Sequence, residues 1–325
     1  MKFIPDYSLN IISEEDFSQK IVEIETTLEK IKIAGSYKAF DGIDIAYEYF
    51  LSQNSKASIV IVHGLSEFTK KYYEFIYYCL NQGFNVFIYD QRCHGLSGRL
   101  TDRIDLLHVD SFDDYVDDLT RFIDDVVLKT VEGPLYLYSH SMGSAVCALY
   151  LAKHTDKIEK AVFSAPMFVP VVDSVPLPIA RMGVSVGRLF YGNKTKFLLT
   201  SEFDPDAQYK SDYCSSKARF EHNMMMRVEN PSYQSTPLTF GWVHNSLIVN
   251  KKIFKKDVID KIKTPILLFS AERDMTVENE PQYKFAKRCK NCQLIGVKDT
   301  THAVLASDAE TLTRVMKQTF DFFDF

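Results

Sequence analysis

The sequence predicts an α/β protein: a mainly parallel sheet with helices on both faces and an inserted cap. Three observations carry this. Short apolar runs alternate with helical patterns along most of the chain, as βαβ units do. Runs such as Ser58–His63 and Phe84–Tyr89 are nearly continuous in apolar residues, as strands covered on both faces are. The alternation stops at Pro166 and resumes after Ser235. Such a break reads as an insertion over the carboxyl ends of the strands, where sheets of this class bind ligands.

The elements follow in order. Ser13 and Asp16 form an N-cap pattern for a helix over 13–32. Asp41-Gly42, between Tyr37–Phe40 and Ile43–Phe50, is a two-residue hairpin signal. A helix over 70–82 ends near Gly83 and precedes the strand 84–89. Residues 111–129 make an amphipathic helix with Phe112, Val116, Leu119, Phe122, Ile123 and Val126 on one stripe. Its acids, Asp113, Asp114, Asp117, Asp118, Asp124 and Asp125, fall largely off that stripe and read as a solvated face. Strand 135–139, helix 141–154 and strand 160–164 complete the first half. The insertion holds helical patterns over 177–191 and 215–229. A helix over 241–255, a strand over 265–270, a helix over 279–288, a strand over 292–297 and a helix over 307–323 close the chain. The expected organisation is an N-terminal helical extension over 1–35, a core over 36–165 and 236–325, and a cap over 166–235.

Composition narrows the function classes. The 325 residues are 46% hydrophobic and 25% charged, with a net charge of −5. That charge excludes a basic nucleic-acid footprint, and it does not suggest a chain held on anionic lipid by charge alone. The six cysteines are scattered, which points to reduced thiols and a cytoplasmic protein. Cys289 and Cys292 have C-x-x-C spacing, but no second such pair completes a metal site. No metal or cofactor is expected. Met1–Tyr7 lacks the apolar core of a secretory signal. Residues 161–180 are apolar, yet Pro166, Pro170, Pro176 and Pro178 argue against a membrane helix.

The stretch Leu135–Ala145 carries the chemistry. A strand meets Ser139-His140-Ser141-Met142-Gly143, and a helix follows. Strand, sharp turn with serine at its apex, helix is the geometry of a nucleophile elbow, usually spelled G-x-S-x-G. A serine hydroxyl is a weak nucleophile and needs a base oriented by an acid. On such a sheet the acid and then the histidine follow the serine, each in a loop after a late strand. Asp274 follows the strand ending at Ser270, and His302 follows the strand ending at Val297. Glu272 and Asp299 compete for the acid role, and loop position ranks Asp274 first. An oxyanion hole needs two backbone N–H groups. Met142, after the serine, and Leu65, in His63-Gly64-Leu65-Ser66-Glu67, are the candidates. His63 alone reads as shaping that loop.

Taken together, His63–Glu67, Asp90-Gln91-Arg92-Cys93-His94-Gly95-Leu96-Ser97, Ser139–Gly143, the Asp274 loop and the His302 loop occur in a telling order. They resemble the α/β-hydrolase superfamily in its lysophospholipase and monoacylglycerol lipase branch, from about residue 45 to the C-terminus. Ser216–Phe220 with Thr236–Val243 is similar to the cap exit of L2-type bacterial lysophospholipases. The resemblance implies Ser141 as nucleophile, Asp274 as acid, His302 as base, and Leu65 and Met142 as oxyanion donors. It implies a serine esterase without cofactor, acting on a small single-chain lipid ester through an acyl-serine. Two positions depart from the pattern: Ser139 and Cys93 stand where the family usually has glycine.

The apolar stretch 161–191 and Met224-Met225-Met226 suit an acyl chain, and equally suit a cap buried on its core. His63, His140, Trp242 and Met167 are candidate pocket residues. Peripheral membrane contact through the cap is open, as is the oligomeric state. An aminopeptidase with the same triad would need acids for an α-amine, for which Glu202, Asp204, Asp206 and Glu221 are available. A non-catalytic relative that binds a hydrophobic ligand is the third reading.

Overall fold

The computed structural model describes residues 1–172 and 175–324. Among them, α1 (Phe17–Ile31) leads into the hairpin β1 (Ile33–Lys38) and β2 (Asp44–Phe50). Next come β3 (Ala57–Val62), α2 (Tyr73–Asn81), β4 (Phe84–Tyr89), α3 (Phe112–Arg121) and the short α4 (Leu128–Thr130). Then β5 (Leu135–His140), α5 (Met142–Lys153) and β6 (Lys160–Ser164) lead to α6 (Leu177–Tyr191) and α7 (Lys217–Glu229). The chain returns through α8 (Phe240–Ile253), α9 (Lys256–Ile259), β7 (Ile266–Ala271), α10 (Asn279–Arg288), β8 (Cys292–Val297) and α11 (Ala309–Phe323).

The strands form one sheet in the order β1-β2-β4-β3-β5-β6-β7-β8. β2 runs antiparallel to both its neighbours, and every later pair is parallel. Alternate side chains of each strand point to opposite faces. Ile59 and Ile61 therefore join α1, α2 and α11, whereas Val60 and Val62 join α3, α5, α8 and α10. Burial on both faces explains why the central strands read as nearly continuous apolar runs.

Four details differ from the sequence reading. The first strand starts at Ile33 rather than Tyr37, because Ile33-Ala34-Gly35-Ser36 has little strand character of its own and is recruited by pairing with β2. The turn spans Ala39–Ile43, closed by the Ala39 N–H on the Ile43 carbonyl at 2.9 Å. The helix over 111–129 is capped by Ser111 and Asp114 as a capping box, but it widens into a π-turn over Phe122–Val127. One of its acids is not solvated. Asp118 is fully buried and takes Arg92 Nε and Nη2, both at 2.7 Å.

Candidate active site

Ser141 sits between β5 and α5 with φ 50° and ψ −117°. That backbone is strained for a residue with a side chain, and it lifts the hydroxyl out of the turn. The crossing beneath it is tight. A Cβ on Gly143 would lie 2.2 Å from the Val62 carbonyl oxygen, so only glycine fits. Ser139 shows how the missing first glycine is accommodated. It is buried, and its hydroxyl pairs with Ser144 Oγ at 2.9 Å and donates to the Val162 carbonyl at 3.2 Å.

The parallel strands bring three loops to this edge. His302 Nε2 is 2.8 Å from Ser141 Oγ, and its Nδ1 is 2.7 Å from Asp274 Oδ2. The Asp274 side chain is inaccessible, and its Oδ1 accepts the N–H groups of Thr276 and Val277 at 2.8 and 3.0 Å. Glu272 and Asp299 take no part in this line: Glu272 instead accepts the Asp299 N–H at 3.0 Å. Burial holds the His302 imidazole below its ordinary range; the hydrogen bond it donates to Asp274 opposes this and the nearby His140 adds to it. The ring is therefore neutral at neutral pH and able to take a proton.

The loop after β3 faces the elbow. His63 is fully buried, donates through Nδ1 to the Gly64 carbonyl at 2.7 Å, and accepts the Gln91 N–H through Nε2 at 2.9 Å. Gly64 approaches so closely that a Cβ there would lie 3.1 Å from Ser141 Cβ. Among the described residues, neither the Leu65 nor the Met142 N–H donates to another protein group. Both are left free for a ligand. Glu67 ends this loop and gathers the Gly64 N–H, Tyr72 Oη, Lys71 Nζ and His140 Nδ1 within 3.1 Å. Burial alone would raise the Glu67 carboxyl, but Lys71 and His140 hold it well below the usual carboxylate range. The other His140 nitrogen donates to the His302 carbonyl at 3.1 Å, tying the two loops together.

A cavity of about 60 Å³ lies behind His140. Phe17 of α1, Glu67 and Lys71, and Arg219 and His222 of α7 line it with His140. The other three candidate pocket residues do not. His63 is spent on its loop. Trp242 is buried on Phe112 in the core below α8. Met167 is buried in the same core, and only its N–H reaches the elbow, donating to the Ser141 carbonyl at 3.0 Å. Sequence reasoning missed Glu67, Lys71 and Arg219, although the E-x-x-x-K spacing of Glu67 and Lys71 is readable as a pair. Cys93 stands at φ 63°, where glycine costs less. Its thiol is buried and accepts the Leu100 N–H at 3.4 Å, and burial raises its pKa, which makes it inert. Cys289 and Cys292 are unbridged thiols, both raised by burial.

The profile described as serine aminopeptidase, S33, matches residues 53–309. The probable lysophospholipase L2 of Haemophilus influenzae is 27% identical over 282 residues, covering 85% of this chain and 87% of that protein. Lysophospholipase L2 of Escherichia coli is 28% identical over 252 residues, covering 77% and 73%. A soluble variant of monoglyceride lipase from Saccharomyces cerevisiae superposes with a TM-score of 0.71 at 17% identity, covering 90% of this chain and 94% of that one. Its likeness makes the architecture that of the α/β-hydrolases. With the family profile spanning most of its length, the chain belongs to the serine aminopeptidase S33 family.

Proposed function

We propose that this protein is a serine hydrolase that cleaves carboxylic esters of single-chain lipids, such as a lysophospholipid or a monoacylglycerol. The observation that carries the reading is the hydrogen-bonded line Ser141–His302–Asp274, with two free backbone amides beside it. His302 Nε2 takes the hydroxyl proton as Ser141 Oγ attacks the ester carbonyl. Leu65 and Met142 N–H groups hold the oxyanion. Collapse breaks the ester bond, and His302 returns the proton to the departing alcohol. Water, deprotonated by His302, then releases the fatty acid from the acyl-serine and restores Ser141. Asp274 keeps the Nδ1–H tautomer and stabilises the charged ring.

The lipid assignment draws on the relatives named lysophospholipase L2 and on the surroundings of the site. The cavity behind His140 mixes apolar walls, Phe17, Ile21 and Met226, with charged ones, Lys71 and Arg219, which suits part of an amphiphilic ester. A cap with exposed apolar side chains also suits a protein that works at a lipid surface in the cytoplasm. Among the described residues, no helix is long and apolar enough to cross a membrane. The four acids the sequence offered for an aminopeptidase are elsewhere: Glu202 pairs with Arg103 at 2.7 Å, and none of Glu202, Asp204, Asp206 and Glu221 lines the cavity, whose own acids Glu67 and Glu74 are paired with Lys71 and Arg219.

Ser141→Ala tests the reading. It should remove hydrolysis of a short p-nitrophenyl ester by about 10⁶-fold in kcat and abolish labelling by a fluorophosphonate, with an unchanged circular dichroism spectrum. Retained turnover would exclude Ser141 as nucleophile, and an unlabelled native protein would favour a non-catalytic relative. Because burial lowers the His302 pKa and only the neutral ring accepts a proton, the acid limb of kcat/KM should lie on the acid side of an ordinary histidine titration.

A further inference from the structure

His140 precedes the nucleophile, and the acyl-transfer steps do not use it. It is buried, and its ring has two nitrogens to satisfy. Nδ1 lies 3.1 Å from Glu67 Oε2, and Nε2 lies 3.1 Å from the His302 carbonyl oxygen. The carbonyl oxygen can only accept. Glu67 is not the donor either: its Oε2 already accepts the Gly64 N–H and the Tyr72 hydroxyl, both at 2.6 Å, and Lys71 Nζ is 2.5 Å from its Oε1. A neutral imidazole has one N–H and one bare nitrogen. Either neutral form would therefore aim a lone pair at an oxygen, and a buried mismatch of that kind is costly. The ring with two N–H groups satisfies both oxygens, and that ring is a cation.

The charges around the ring leave room for this cation. Across the cavity, Arg219 is matched by Glu74 at 2.6 Å. Lys70 and His222 both face Glu25, at 3.6 and 2.9 Å. Lys71 shares Glu67 with His140, but its side chain is 27% exposed and screened by water, against 8% for His140 and 7% for Glu67. On the other side stands the His302 ring, with its centroid 4.9 Å from that of His140. Asp274 lies behind it, 2.7 Å from His302 Nδ1.

We infer that His140 is an imidazolium held by Glu67, a positioning residue that clamps the His302 carbonyl and sets a fixed positive charge beside the general base. The same carboxylate holds the Gly64 N–H, so one anion ties the oxyanion loop to the loop of the base. A positive ring disfavours a second one next to it, which is the direction in which His140 moves the His302 titration. The base thus stays uncharged until Ser141 gives up its proton, and Asp274 then offsets the repulsion between the two rings. The inference rests on the reading of His302 as the base.

Nitrogen-15 NMR of the native full-length protein tests the charge directly. At neutral pH both ring nitrogens of His140 should carry protons, with the shifts of an imidazolium, while His302 shows one protonated and one bare nitrogen. Sequential correlations in the native protein assign the two rings, so this readout needs no variant. A bare nitrogen on His140 overturns the inference. Glu67→Gln removes the counter-ion and should return the His140 ring to a neutral form. The positioning role is read from the pH profile of p-nitrophenyl ester hydrolysis. His140→Asn should move the acid limb of kcat/KM up by about 1 pH unit and lower kcat more than it raises KM. A rate that falls equally at every pH, with the acid limb unmoved, makes His140 a packing residue and overturns the role. Turnover by the native protein separates the two claims. Normal turnover with a neutral His140 sinks this inference alone, whereas absent turnover sinks the hydrolase reading.

Discussion

Helix α7 is bolted to the core by charge and hydrogen bonds, whereas α6 rests on α8 through a few side chains. In α7, Arg219 is buried and gives Nε and Nη2 to Glu74 at 2.9 and 2.6 Å and Nη2 to the Ile12 carbonyl at 3.1 Å. Glu14 caps the helix from another segment, accepting the Ser216 hydroxyl at 2.6 Å and the Ala218 N–H at 2.7 Å. Glu25 takes His222 Nε2 at 2.9 Å. By contrast, α6 buries only Val184 of its fifteen residues, against Phe240 and Leu247. Glu14, Phe17 and Glu25 all precede residue 53, where the family match begins. The segment before residue 53 thus fixes α7 beside the candidate site, and α6 is left with its outer face in solvent.

The difference breaks most visibly at Arg219. Arg219→Ala leaves Glu74 buried without its cation and should cost about 3–5 kcal/mol in denaturant unfolding. The Tyr78 hydroxyl, 2.7 Å from Glu74 Oε1, softens the loss toward the lower end. Arg219→Met/Glu74→Gln removes both charges and should recover most of it. If the single and double variants are equally unstable, the ion pair is not what holds α7.

Glu14→Ala is the next test. It removes an acceptor from the first turn of α7 without leaving a buried charge unpaired on a large scale, because Arg219 keeps Glu74. Loss of a helix cap costs about 1 kcal/mol. Hydrogen exchange of α7 amides should accelerate by the corresponding factor of about 5, with α6 unchanged. Acid should act in the same direction through Glu25. Burial alone would raise its pKa, but His222 and Lys70 bring it below the ordinary glutamate range. Its contribution is therefore present above the unfolded pKa and is lost as pH falls through the lower folded one.

How much of this was legible depends on sequence separation. The elbow is local: strand, small-residue turn and helix follow one another without a break from Leu135 to Lys153. Asp274 and His302 could be read because a parallel sheet places the loops after its strands on one edge. The hairpin start and Asp118 were misread because their states depend on partners outside their own segments, β2 for the first and Arg92 for the second. The bolts of α7 were invisible for the same reason: Arg219 and Glu74 are 145 positions apart, and Ser216 and Glu14 are 202 apart. Trp242 and Met167 looked like pocket residues because composition cannot tell an apolar wall from apolar core.

The smallest expected effect is at α6. Leu189→Ser/Phe190→Ser changes two of the most exposed apolar side chains of the chain. Neither touches the Val184–Phe240–Leu247 cluster that seats the helix. Surface changes away from caps, cores and ion pairs stay within about 0.5 kcal/mol, so the unfolding midpoint should hardly move. Serine also has a somewhat lower helix propensity than leucine, which sets the sign as slightly destabilising. A drop comparable with that of Arg219→Ala would mean that these side chains are covered by protein in solution, and that α6 is anchored as firmly as α7.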